Sequence, residues 1–132
     1  MIENLSPEEW LASPYVATAA YFSDSDCVEY VNEDCVCVYR RIDEFLTLIF
    51  DETKIRLIGF KLKGFRFFFE RMKGHLQLNN SDFIWISALI EEICRDIGDE
   101  LETSKERRLA YQAVKKIADK EQVKLVDLPK AA

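Results

Sequence analysis

The chain has 132 residues, 48% hydrophobic and 32% charged, with only four glycines and three prolines. That is long enough to bury a core without disulfide or metal staples, and too apolar for a disordered chain or a low-complexity repeat. The formal net charge of −6 argues against a dedicated nucleic-acid binder, which needs a basic field to neutralise phosphate.

In chain order, MIENLSPEEW has neither a basic nor an apolar leader region, so no export signal is read. Ser6-Pro7-Glu8-Glu9 has the residues of a capped helix start. The serine hydroxyl accepts from free N–H groups, proline suits the first turn, and Glu9 can bond back. Ser13-Pro14 stops this helix early, and residues 15–22 fit either helix or strand.

From Cys27 the pattern becomes β. CVEYV, CVCVYRRI, EFLTLIF and KIRLIGFKLK are rich in β-branched and aromatic residues and are separated by short polar stretches. Connections this short predict antiparallel neighbours and hence a β-meander of three to four strands. In EFLTLIF, Phe45, Thr47 and Ile49 alternate with Leu46, Leu48 and Phe50, so both faces are largely apolar. A strand covered on both sides, or covered on one and dimerised on the other, accounts for that.

After Gly64 the period lengthens to that of a helix. Phe65, Phe68, Phe69, Met72 and Leu76 make one stripe. Ser81-Asp82 is read as the start of a second helix with Ile86, Leu89, Ile90, Ile93 and Ile97 inward. Thr103-x-x-Glu106 is read as the capping box of a third, carrying Leu109, Ala113 and Ile117. KLVDLP is left as a short strand or a docked extension. The predicted architecture is α+β in a single domain, 1–132: a short N-terminal helix, the meander, then three helices packed on one face of the sheet.

KGFRFFFE at 63–70 also raises the question of an RNA-recognition motif. Lys63, Gly64, Phe65 and Phe67 fit its first ribonucleoprotein sequence. Arg66 stands where a small residue belongs, Phe68 where an aliphatic belongs, and Glu70 where the last aromatic should stack. The preceding strands are also in the wrong order for that fold. A core helix is the better reading, and it leaves Phe67 outside the apolar stripe.

Other chemistry is sparse. Strand geometry would place the Cβ atoms of Cys35 and Cys37 about 7 Å apart, too far for a mutual disulfide. Neither they nor Cys94 and His75 make a zinc spacing. His75 has no orienting partner in sequence and suits a helix end. Asp43, Glu44, Asp51 and Glu52 sit at turns, within reach of Arg40 and Arg41. No phosphate-loop, dinucleotide, nucleophile-elbow or zinc-protease motif is present. No catalytic residue, metal ligand or cofactor is therefore assigned.

Charge is segregated. Residues 1–53 hold twelve acidic side chains against two basic, whereas 54–75 hold seven Lys/Arg against one Glu. The basic stretch can be neutralised by the acidic half on folding or can form an anion-binding patch. The longest apolar-leaning run before the strands, YVATAAYF, is too short to span a bilayer, so no membrane partner is expected. The four cysteines are expected as free thiols in a reducing cytoplasm.

DCVCVYRRIDEFLTLIFDETKIRLIGFKLKGF, with Ile58-Gly59-Phe60-Lys61-Leu62 as its last strand, resembles the β-meander of small bacterial proteins of unknown function, over residues 27–64. Some of these are encoded beside toxins as candidate antitoxins, so the resemblance implies a protein partner and carries over no functional residue.

The sequence thus points to a soluble, cytoplasmic, non-enzymatic protein acting by protein–protein contact, as a homodimer or with a regulatory, antitoxin-like partner. The candidate interaction surface is Trp10, Lys61, Lys63, Arg66, Phe67 and Arg71. Anion or nucleic-acid binding through residues 54–75 is the alternative. Small-ligand binding between sheet and helices is the third.

Overall fold

A computed structural model describes residues 15–76, 83–126 and 128. The expected N-terminal helix lies outside them, as do Ser81 and Asp82. The helix expected to start at Ser81-Asp82 begins only at Ile86, after a short strand at Ile84–Trp85 that holds the chain extended. The described chain is α+β, with three α-helices and an antiparallel sheet of five strands rather than three or four. The strands are β1 (Ala20–Phe22), β2 (Cys27–Val31), β3 (Cys37–Arg41), β4 (Leu46–Asp51) and β5 (Leu57–Lys63). The ambiguous segment 15–22 therefore supplies an edge strand.

The strand order β1-β2-β5-β4-β3 corrects the simple meander. β1 and β2 are sequential neighbours, and so are β3, β4 and β5. β2 pairs with β5, from Cys27↔Lys63 to Val31↔Gly59, which makes a Greek-key arrangement. Residues 32–36 must then span three strand spacings, about 14 Å. An extended link reaches that at about 3.4 Å per residue. A short connection limits distance, and it does not require adjacency.

Gly59 is placed by this pairing. A Cβ there would lie 2.0 Å from the Tyr30 carbonyl oxygen and 2.8 Å from Val31 Cα. The register shifts beside it, with Ile49↔Gly59 followed by Phe50↔Leu57, so Ile58 is the extra residue of a bulge. Ile49 and Ile58 are 0% and 2% exposed, yet they lie outside the main core cluster. β4 therefore buries apolar side chains on both faces.

The helices are α1 (Phe65–Leu76), α2 (Ile86–Ile97) and α3 (Lys105–Lys120), with a 3-10 helix at Gly98–Thr103. Val28, Tyr30, Leu46, Leu48, Phe60 and Leu62 of the sheet share one core with Phe65, Phe68, Phe69 and Met72 of α1. Ile86, Leu89, Ile90 and Ile93 of α2 complete it, together with Ala110, Tyr111, Val114 and Ala118 of α3. The stripe expected for α2 is thus found, with Ile97 packed at its margin. α3 differs: its buried line is one residue on from the expected Leu109, Ala113 and Ile117, and Leu109 is exposed. Its cap is Ser104, which accepts from the Arg107 N–H at 3.2 Å, whereas the Thr103 hydroxyl donates to the Glu100 carbonyl. From the C-terminal tail, Lys124–Leu125 (β7) pairs with Ile84–Trp85 (β6).

α1 borrows its cap from the β1–β2 turn. The Asp26 carbonyl accepts from the Gly64 and Phe65 N–H groups at 3.0 and 3.3 Å. Its carboxylate accepts from the Arg66 N–H at 3.1 Å. Gly64, at φ 79°, turns the chain from β5 into this position.

Candidate functional site

KGFRFFFE is a strand end followed by a helix, and it is divided as the helical period requires. Phe65 and Phe68 are 1% exposed and Phe69 6%, while Phe67 is 57% exposed. The Phe67 ring meets Phe68 edge-on at 5.2 Å, and the Arg71 guanidinium stands 5.4 Å from its centroid. Spacing of i, i+4 puts those two side chains on one helix face. Arg71 is fixed from behind: Nη1 lies 2.6 Å from Asp96 Oδ1 and Nη2 3.1 Å from Glu92 Oε2. Glu92 is buried and also accepts from Arg95 Nη1 at 2.8 Å. An exposed ring thus sits beside an arginine held by two carboxylates of α2, and little side-chain freedom remains to be lost on contact.

The other candidate residues do not converge on this face as one patch. Lys61 pairs with Glu29 at 3.4 Å and stands 4.6 Å from the Tyr39 ring centroid. Arg66 donates from Nε to the Tyr21 hydroxyl at 3.2 Å, and Tyr21 in turn donates to Asp26 at 2.7 Å. Lys63 is exposed at the end of β5. Trp10 lies outside the described residues. Within the basic stretch, Arg56 is paired with Glu33 and Asp51, and Lys73 with Glu70. Arg56, Lys61, Arg71 and Lys73 are therefore locally compensated.

The turn carboxylates also serve structure, with partners that sequence reading did not find. Asp43 accepts from the Phe45 and Leu46 N–H groups at 2.9 and 2.8 Å, from Arg107 Nε at 2.8 Å and from the Tyr111 hydroxyl at 2.8 Å. Burial alone would raise its pKa, but these donors outweigh it and hold the carboxyl below the usual value. Burial, reinforced by Asp43, raises the Tyr111 phenol. Asp51 is held at about 2, chiefly by the Thr53 hydroxyl and then by Arg56. The expected pairing of these acids with Arg40 is not made, because Arg40 reaches Glu106 at 3.0 Å. Arg41 donates to the Asp43 carbonyl instead.

Cys35 also departs from the sequence reading. β3 begins only at Cys37, so the strand spacing does not govern the pair. The Cys37 thiol donates to the Cys35 carbonyl at 3.3 Å, and all four cysteines are free. His75 falls in the last turn of α1, as its neighbours suggested. Among the described residues no cluster of three His, Cys, Asp or Glu side chains is arranged to hold a metal ion, and no helix is long and apolar enough to cross a membrane.

A groove of about 510 Å³ lies between the sheet and α3, where the third reading places a small ligand, and it is lined by residues that reading did not name. Ile42, Leu48, Phe50 and Leu57 line the sheet side, and Leu109, Ala110 and Ala113 the helix side. Arg40, Lys105 and Glu106 complete its lining. The signal was in α3, which carries two adjacent apolar lines, 109-113 and 110-114-118, more than one sheet contact consumes. Compared with known proteins, the chain matches no family model, no curated protein and no solved structure.

Proposed function

We propose that this chain is a soluble, cytoplasmic, non-enzymatic protein that acts by protein–protein contact, with the outer face of α1 as its contact surface. The single observation that carries the reading is the Phe67–Arg71 pair: a 57% exposed aromatic ring beside an arginine clamped by Asp96 and Glu92. Aromatic and arginine anchors contribute most where they are already held in place. Lys63 and Arg66 stand apart from this pair, so the exposed ring suits a partner segment that presents an apolar residue to it.

A second copy of the chain is the partner to test first, since residues 1–53 supply an excess of acidic side chains. A regulatory, antitoxin-like partner is the other form of the same reading, and both take the three helices as a layer on one face of the sheet. The local compensation of Arg56, Lys61, Arg71 and Lys73 supports this reading over anion or nucleic-acid binding. Light scattering from low to high micromolar concentration tests it. Self-association that Phe67→Ser weakens is the expected result. A wild-type chain that stays monomeric throughout removes the homodimer, and salt-dependent binding to an oligonucleotide would favour the anion reading.

A further inference from the structure

The groove beside α3 is independent of the α1 surface, and its chemistry is specific. Its floor and walls are the aliphatic and aromatic side chains of Ile42, Leu48, Phe50, Leu57, Leu109 and Ala113. Its volume of about 510 Å³ falls within the range of small-molecule sites, whose apolar walls bind and whose few polar groups orient.

Polarity is concentrated at one end. Lys105 and Glu106 form the first turn of α3, and Arg40 reaches that turn from β3 to pair with Glu106 at 3.0 Å. Glu106 thus offsets one cation, while Lys105 has no ion-pair partner among the described residues. The N-terminal end of α3 adds its own partial positive charge. From this turn to Ala113 the helix wall is apolar and, over eight residues, about 12 Å long. That is little more than two helical turns, short for seating a partner helix and suited to a short alkyl chain.

We infer that this groove binds a small amphipathic carboxylate, its alkyl chain on Leu48, Phe50, Leu57, Leu109 and Ala113 and its carboxylate toward Lys105 and Arg40. The carboxylate would share the Arg40 guanidinium with Glu106 or displace it. The chain's overall charge opposes anions, so the local rim must supply the selectivity.

Titration of methyl-labelled protein with decanoate, below its micelle concentration, tests this. Saturable shifts confined to the methyls of Leu48, Leu57, Leu109, Ala110 and Ala113 are expected. Lys105→Glu should weaken decanoate binding roughly fivefold, and Ala113→Trp should abolish it while leaving the remaining methyl spectrum folded. Decyltrimethylammonium, with the same chain and opposite charge, should bind more weakly than decanoate. Shifts scattered over the surface, unchanged binding in Ala113→Trp, or equal binding of the cationic probe would each overturn the assignment. Decanoate binding weakened in Lys105→Glu and unchanged in Phe67→Ser separates this site from the α1 surface.

Discussion

Arg107 Nε donates to Asp43 Oδ2 at 2.8 Å, joining the β3–β4 turn to α3. Both groups are largely buried, with side chains 19% and 6% exposed, and the Tyr111 hydroxyl shares the same carboxylate. Removing Asp43 would strand a guanidinium and a phenol together. Asp43→Ala should therefore cost about 3 kcal/mol or more, read as a lowered urea midpoint. A change under about 0.5 kcal/mol, the size of an ordinary surface substitution, would contradict this role.

Acid should act through the same carboxylate and through Asp51. Both titrate below their ordinary values in the folded chain, Asp51 at about 2. The unfolded chain takes up these protons at about 3.9. Below that pH the unfolded state binds more protons, so stability is complete above it and falls as pH drops toward 2. Urea unfolding at pH values from neutral to 2 should show this decline, and Asp51→Asn should flatten part of it. A stability that is level between pH 4 and 2 would be inconsistent with the hydrogen bonds drawn around these groups.

The cap that Asp26 lends to α1 comes with a left-handed backbone, φ 51°, which alanine tolerates less well than aspartate or asparagine. Asp26→Ala removes the acceptor of the Arg66 N–H and of the Tyr21 hydroxyl. It should cost about 1 kcal/mol, as loss of a helix N-cap does. Asp26→Asn should recover most of that, because its amide oxygen still accepts. A loss in Asp26→Asn as large as that in Asp26→Ala would contradict a role for the side-chain acceptor and the left-handed backbone.

Gly59 gives a steric prediction. A methyl at this position meets the β2 backbone at 2.0 Å, and backbone cannot step aside as a side-chain end can. Gly59→Ala should destabilise by about 1–3 kcal/mol and weaken amide protection in Tyr30 and Val31. Unchanged protection in β2 would argue against the β2–β5 pairing.

What the sequence revealed followed from periodicity. Phe65, Phe68, Phe69 and Met72 were legible as a buried stripe because one helix face meets one core, and Phe67 was legible as the residue left over. The place of β2 was not, because nothing local to Cys27–Val31 says which strand it pairs with. α3 misled for a related reason. Its two apolar lines differ by one residue, and only the sheet decides which is buried and which flanks the groove. Asp43, Arg107 and Tyr111 are brought together from positions 64 and 68 residues apart, a distance no motif spacing covers.

The proposed contact rests on Phe67 rather than on exposed aromatic surface in general. Phe22, Tyr39 and Phe67 are comparably exposed, at 49%, 51% and 57%, so loss of apolar surface alone should affect them alike. The most direct measurement is the self-association constant by sedimentation velocity for Phe22→Ser, Tyr39→Ser and Phe67→Ser beside the unaltered chain. Phe67→Ser should weaken association about tenfold or more, as loss of a binding anchor does, with the other two near the unaltered value. Equal weakening in all three, or an effect confined to Phe22→Ser or Tyr39→Ser, would rule out Phe67 as the anchor.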